Sequence, residues 1–156
     1  MKVVIDVNVW VSGLLWGGVP AQVLQLAQQK RIISVVSSEL LLELETTLDR
    51  AKFRSQLQKR NQTVEGLCKI VQSISTIVEI TSIAIPQLRD QNDVKILATA
   101  IEAKAEFLIT GDLDLLVLNP FESIQIVLPV DFRPLLALLE WYDREGMTMM
   151  EFKAGF

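Results

Sequence analysis

The stretch that decides the fold is Lys2–Ser12, KVVIDVNVWVS. Val3-Val4-Ile5 is an unbroken β-branched run without alternation, which predicts a strand buried on both faces. The run stops at Asp6, with Asn8 and Ser12 just beyond. Burying a carboxylate without a partner is expensive, and the carboxyl end of such a strand is where open α/β sheets place their chemistry. An isolated Asp there reads more simply as a cap or turn residue. The choice depends on whether acids recur at equivalent points further along.

Outward from that strand, Gly17-Gly18-Val19-Pro20 predicts a turn and a helix start, with Val23, Leu24 and Ala27 as its apolar face. Ile32–Val36 is a second apolar run. Ser37 is the expected N-cap of the next helix, with Glu39 in its first turn and Leu41, Leu44 and Leu48 as its stripe. Arg50, Lys52, Arg54, Lys59 and Arg60 then form a basic run, and Val64, Leu67, Val71 and Ile74 mark a helix. A strand is expected over Thr76–Ile80, and Pro86 separates it from a helix over Asn92–Lys104 with Val94, Leu97, Ala98 and Ile101 inward. Phe107–Thr110 reads as another buried strand. Gly111-Asp112 turns out of it, a short helix is expected over Leu113–Leu118, and Ile124–Leu128 is the last strand. This alternation predicts one α/β domain: a central, mostly parallel sheet with helices on both faces.

The domain is expected to span residues 1–132, with an apolar extension over 133–156. Asp131 and Pro134 mark a helix start there. Leu135, Leu136, Leu138, Leu139, Trp141 and Tyr142 follow, then Met147, Met149, Met150, Phe152 and Phe156. Two readings stay open: a helix packed on the domain, or a dimer or partner interface. A homodimer or higher homo-oligomer is the expectation for the second.

Composition narrows the chemistry. With 156 residues, half of them hydrophobic, the chain can bury a full core. The one cysteine, Cys68, rules out a disulfide within the monomer, which fits a reducing compartment. No histidine is present, so Ser-His-Asp and Cys-His catalysis and HExxH zinc sites are excluded. The net charge of -4 gives no global field that would draw in nucleic acid. Asp6 and Asn8 interrupt the apolar N-terminus before a signal peptide forms, and no apolar stretch is long enough to span a bilayer. A cytoplasmic protein with no membrane association is therefore expected.

The acids do recur at element ends. Asp6 follows the first strand, Glu43 lies in the helix after the second, Asp93 opens a helix, and Asp112 follows the Phe107–Thr110 strand, with Asp114 beyond it. In a parallel sheet these points share one edge, so four segments can deliver carboxylates to one crevice. Crowded carboxylates raise one another's pKa. A hard divalent cation, Mg²⁺ or Mn²⁺, relieves that conflict through oxygen ligands. Phosphodiester hydrolysis is the natural reaction of such a site. Taken singly, Glu39, Asp90 and Asp114 read better as solvated charges.

These residues resemble the PIN domains, metal-dependent ribonucleases many of which are VapC-like toxins of bacterial toxin–antitoxin pairs. The resemblance rests on DVNVWVS (Asp6–Ser12), VSSELLLEL (Val36–Leu44), RDQNDVKILATA (Arg89–Ala100) and LITGDLDLL (Leu108–Leu116), in that order and spacing. It implies a catalytic and metal-binding quartet of Asp6, Glu43, Asp93 and Asp112, with Asp114 as an additional metal ligand. Asn8, Ser12 and Thr110 match supporting positions that orient ligands or water. The implied cofactor is Mg²⁺ or Mn²⁺, the implied substrate RNA, and the implied partner a cognate antitoxin. Arg50, Lys52, Arg54, Lys59 and Arg60 are then candidate RNA-binding residues, against the commoner fate of a charge run as a solvated face. Two departures stand out: Val7 where Thr is frequent, and Gln91-Asn92 where a Pro and a further acid are common.

Two rivals remain. An aspartate-nucleophile phosphatase would carry a second Asp two residues after the nucleophile, and here that residue is Asn8. A PIN-like scaffold that binds RNA or protein without cutting needs no complete quartet. The absence of a GxxxxGK loop removes a P-loop nucleotide hydrolase.

Overall fold

The computed structural model describes residues 1–81, 85 and 88–146. Its sheet contains β1 (Lys2–Ile5), β2 (Ile33–Ser37), β3 (Ser75–Val78), β4 (Phe107–Ile109) and β5 (Gln125–Val127), all parallel, in the order β3-β2-β1-β4-β5. The β-branched run of β1 is thus the central strand, and Val3, Val4 and Ile5 are fully buried. Phe107, Leu108 and Ile109 of neighbouring β4 are buried too, whereas β3 is an edge strand with Ile77 exposed.

The helices among the described residues are α1 (Val7–Leu15), α2 (Gly18–Gln28), α3 (Ser38–Leu48), α4 (Arg54–Lys59), α5 (Val64–Ser73), α6 (Gln91–Ala103), α7 (Leu113–Leu116) and α8 (Pro129–Arg144). From β1 the chain adds strands in one direction as far as β3, then crosses back to place β4 and β5 on the other side of β1. Right-handed crossovers on these two paths put their helices on opposite faces of the sheet. The reversal falls between β1 and β4. A crevice is therefore left outside the carboxyl ends of those two strands.

Helix α1 is not legible in the sequence, where the strand stops at Asp6 and no element is expected after it, because Val7, Val9 and Val11 are β-branched and disfavour a helix in isolation. Tertiary burial overrides that preference. Val7, Val9, Trp10, Val11 and Leu15 are all buried. Each large apolar side chain removed from water contributes about 1.5–3 kcal/mol, against propensity differences below about 1 kcal/mol per residue. Gly13 lets α2 come close: a Cβ there would lie 2.6 Å from Leu24 Cδ1 and 3.0 Å from the Pro20 carbonyl carbon.

Other expectations shift by a residue or two. The inward stripe of α3 is Leu40, Leu44 and Leu48, with Leu41 only half-buried. Helix α6 buries more than one stripe: Ile96, Leu97, Ala98, Ala100 and Ala103 are enclosed, while Val94 and Ile101 are half-buried. Helix α8 begins at Pro129 and carries Pro134 within it. It lies against α2, burying Phe132, Leu136 and Leu139, while Arg31 and Glu140 form a two-point ion pair at 2.6 and 3.0 Å. Trp141 stays 43% exposed. Pro86, Met147, Met149, Met150, Phe152 and Phe156 lie outside the described residues. No single described helix is long and apolar enough to cross a membrane.

Candidate active site

Asp6 stands where β1 ends, its backbone N–H donating to the Ile109 carbonyl at 2.9 Å. That bond ties the end of β1 to the end of β4. One residue beyond, buried Thr110 donates its hydroxyl to Asp6 Oδ2 at 2.6 Å and accepts the Asp112 N–H at 3.0 Å. A single threonine therefore fixes both acids at the switch point. Asp112 Oδ1 accepts the Asp114 N–H at 2.9 Å, which caps α7. One Asp112 oxygen thus has a structural duty in addition to its place among the acids.

Burial raises the Asp6 pKa, the Thr110 hydroxyl opposes the rise, and the Asp112 charge adds to it. Asp93, in the first turn of α6, is 8% exposed and pushed up to about 6. Burial is the largest cause, followed by the charges of Asp112 and Asp90, a hydrogen bond with the Asp112 carboxyl, and the charge of Asp114. Half-buried Glu43 on α3 is raised by burial and then by Asp6, against Lys95, which lowers it. Asp90 raises it further and Arg50 lowers it. Four acids distant in sequence are thus linked in a chain of electrostatic neighbours, Glu43 with Asp6, Asp6 with Asp112 and Asp112 with Asp93.

The supporting positions fall at the same place. Asp6, Asn8, Ser12, Gly111 and Asp112 line an open crevice of about 420 Å³. Asn8 and Ser12 are four residues apart on α1, so one helical face presents both. A larger groove of about 710 Å³ between α1, α2 and α5 has no acidic residue in its lining and is separate from this cluster.

A buried chain of hydrogen bonds holds the helices that carry Glu43 and Asp93. Thr99 Oγ1 donates to the Lys95 carbonyl at 2.8 Å, so it accepts from Ser37 Oγ, also at 2.8 Å. Ser37 Oγ in turn accepts the Leu40 N–H at 3.2 Å and caps α3. Every hydroxyl in the chain is satisfied, so it costs no unpaired polar group and sets α3 against α6.

The members of the basic run have different neighbours. Arg50, Lys52, Arg54, Lys59 and Arg60 are all exposed. Arg50 lies within electrostatic reach of Glu43, Lys52 sits 5.0 Å from the Phe53 ring centroid, and Arg60 borders the larger, acid-free groove. Two acids read as solvated charges are not simply solvated. Asp90 Oδ1 caps α6 through the Asn92 N–H at 2.8 Å, and Glu39 Oε2 is buried with no hydrogen-bond partner among the described residues. Asp114 remains exposed, as read. Lys95, the cation facing Glu43, escapes sequence reading. It lies two residues from Asp93, a spacing that no helix face shares.

Among the described residues, no three acidic or cysteine side chains stand close enough to grip one metal ion. The donor set nonetheless fits a hard divalent cation in kind. It is all oxygen, it is anionic, and its members hold one another's protons on, a conflict that a cation removes.

A family model described as PIN domain matches residues 2–114, a span that contains Asp6, Glu43, Asp93, Asp112 and Asp114. An uncharacterized protein of Methanocaldococcus jannaschii is 34% identical over 120 residues, which is 76% of this chain and 76% of that protein. Among solved structures, VapBC2 from Rickettsia felis bound to a DNA fragment from its promoter superposes with a TM-score of 0.53. That alignment covers 81% of this chain and 97% of the other at 17% identity, a likeness of fold alone.

Proposed function

The chain belongs to the PIN domain family, and on that premise we propose that it is a metal-dependent endoribonuclease and the toxin of a toxin–antitoxin pair. The observation that carries the reading is the crowding of Asp6, Asp93 and Asp112 at the β1–β4 switch point, where each lies in the field of another carboxylate. Structural acids are ordinarily kept apart or paired with cations. Here one half-buried lysine, Lys95, and the exposed Arg50 face a larger set of acids.

In this mechanism Asp6, Glu43, Asp93 and Asp112 would hold Mg²⁺ or Mn²⁺, with Asp114 as an additional ligand. The bound cation would lower the pKa of a water molecule and offset charge on the leaving oxygen of the RNA phosphodiester. The chain supplies the rest. Thr110 keeps Asp6 oriented and biased toward its charged form, and Asn8 and Ser12 present hydrogen-bonding groups to water and phosphate along the crevice wall. Lys95 and Arg50 partly neutralise Glu43, so the crevice admits a phosphate despite its acids. Arg50, Lys52, Arg54, Lys59 and Arg60 offer phosphate contacts that position a strand without reading its sequence.

The fold likeness to VapBC2 supports an antitoxin partner. The same reading places the protein in the cytoplasm, and the apolar C-terminal segment with exposed Trp141 supports a homodimer or higher homo-oligomer.

A second reading, a PIN-like scaffold that binds without cutting, is favoured by the absence of a ready-made three-acid cage among the described residues. One assay separates the readings. The purified chain is incubated with single-stranded RNA and Mn²⁺, with EDTA and Asp6→Asn as controls. Cleavage lost in both controls supports the nuclease, and tight binding without products supports the scaffold. Phosphate release from small monoesters would favour the aspartate-nucleophile phosphatase instead.

A further inference from the structure

Trp16 is 55% exposed at the end of α1, and its surroundings give that exposure a use. Its backbone N–H donates to the Ser12 carbonyl at 2.9 Å, so it completes the last turn of the helix that carries Asn8 and Ser12. Asn8, Ser12 and Trp16 are spaced four residues apart and form one stripe. The stripe runs from the acidic crevice outward for roughly 12 Å. Gly17 and Gly18 follow with φ of +80° and +69°, a left-handed turn suited to glycine. The chain therefore bends sharply away into α2 directly after the indole, 99° from the axis of α1.

The segment after α3 is held at this end of the helix and brings Lys52 with it. Gln56 Nε2 donates to the Leu15 carbonyl at 2.6 Å and anchors α4 there. The Phe53 ring meets Trp16 edge to face at a centroid distance of 5.5 Å. Lys52 lies over Phe53, and neither Lys52 nor Arg54 has an ion-pair partner among the described residues. An exposed indole steadied by a buried ring, with Lys52 over that ring, has the makings of a stacking platform. Single-stranded nucleic acid is held in this way, by base faces on aromatic rings and backbone phosphates on cations.

We propose that Trp16 is a substrate-positioning residue, stacking a base of the bound RNA outside the crevice while Lys52 contacts the RNA backbone phosphates. The proposal rests on the ribonuclease reading for its substrate, and its test does not require cleavage. A single-stranded RNA oligonucleotide is titrated by anisotropy into the Asp6→Asn parent, and into the same protein with Trp16→Phe, Trp16→Leu or Trp16→Ala added. The expected result for Trp16→Ala and Trp16→Leu is a loss of affinity of about five- to a hundred-fold, the scale of one stacked base, with Trp16→Phe close to the parent. Unchanged affinity in Trp16→Ala overturns the proposal and leaves the indole as a surface for a protein partner. Full rescue by Trp16→Leu overturns stacking, because leucine restores apolar area without a π-face. No RNA binding by the parent overturns it as well. If the parent binds RNA through Trp16 and the unmutated chain cleaves nothing, stacking stands and the nuclease reading falls. If cleavage is metal-dependent and indifferent to Trp16, the nuclease stands and stacking falls.

Discussion

Thr110, at the end of β4, donates its hydroxyl to Asp6 Oδ2 at the end of β1 across 2.6 Å. The Thr110 hydroxyl oxygen also accepts the Asp112 N–H at 3.0 Å, so one side chain sets the position of two acids that lie far apart in the chain. Thr110→Val keeps the shape and removes both bonds. The expected outcome is cleavage slower by about ten- to a hundred-fold, on the order typical of lost ligand-orienting bonds. The accompanying loss of stability should be about 1–3 kcal/mol, because the Asp112 N–H and Asp6 carboxylate lose a partner. Cleavage rates and urea unfolding of the two proteins check both numbers. Serine at this position should restore most of the rate.

The metal-free protein should lose stability as the pH rises from about 4 to about 6. Asp93 holds its proton up to about 6 in the folded chain, against 3.8 as its ordinary value. Across that window the folded state binds protons that the unfolded state has released, so the linkage favours folding at the acidic end. Asp6 and Glu43, both raised, act in the same direction. With screening by water at the crevice mouth, the Asp93 contribution is about 1–2 kcal/mol. Thermal melts at pH 4.5 and 7 in EDTA read it. Asp93→Asn should flatten the dependence, and millimolar Mn²⁺ at pH 7 should raise the melting temperature.

Breaking the buried hydroxyl chain should disturb the site from a distance. Thr99→Val leaves the Ser37 hydroxyl without its acceptor between α3 and α6, at a cost of about 1–3 kcal/mol. The relation between Glu43 and Asp93 should loosen with it. The measurement is paired: unfolding free energy and Mn²⁺ affinity, with affinity expected to fall and the far-ultraviolet spectrum unchanged.

Gly13→Ala tests the α1–α2 contact. Its Cβ would meet Leu24 Cδ1 at 2.6 Å, and the Pro20 backbone stands behind at 3.0 Å. Relief requires Leu24 to change rotamer, so the expected loss is about 1–3 kcal/mol. A denaturant midpoint equal to the parent's would show that the two helices separate more easily than their packing implies.

Much of this arrangement is legible in the residues, and the exceptions have physical causes. Val3-Val4-Ile5 declares a doubly buried strand, and it is the centre of the sheet. Ser37 declares an N-cap and is one. Acids at element ends are visible because a parallel sheet sends those ends to one edge. Helix α1 is hidden because its valines prefer strands in isolation and are overruled only by burial that the sequence does not display. The face of α6 is misjudged for a related reason: with much of its surface enclosed, Ala100 and Ala103 count as core and no clean stripe remains. Lys95 is hidden because its significance lies in a neighbour on another helix, Glu43. The split fates of Arg50, Lys52 and Arg60 likewise depend on what the tertiary fold puts beside each.

The most direct test replaces each acid of the cluster singly, Asp6→Asn, Glu43→Gln, Asp93→Asn and Asp112→Asn, and follows cleavage of one single-stranded RNA in Mn²⁺. The account predicts a loss of at least about a hundred-fold in every case with folding preserved, and a smaller loss for Asp114→Asn. Cleavage by Asp6→Asn or Asp112→Asn at the parent's rate would contradict it.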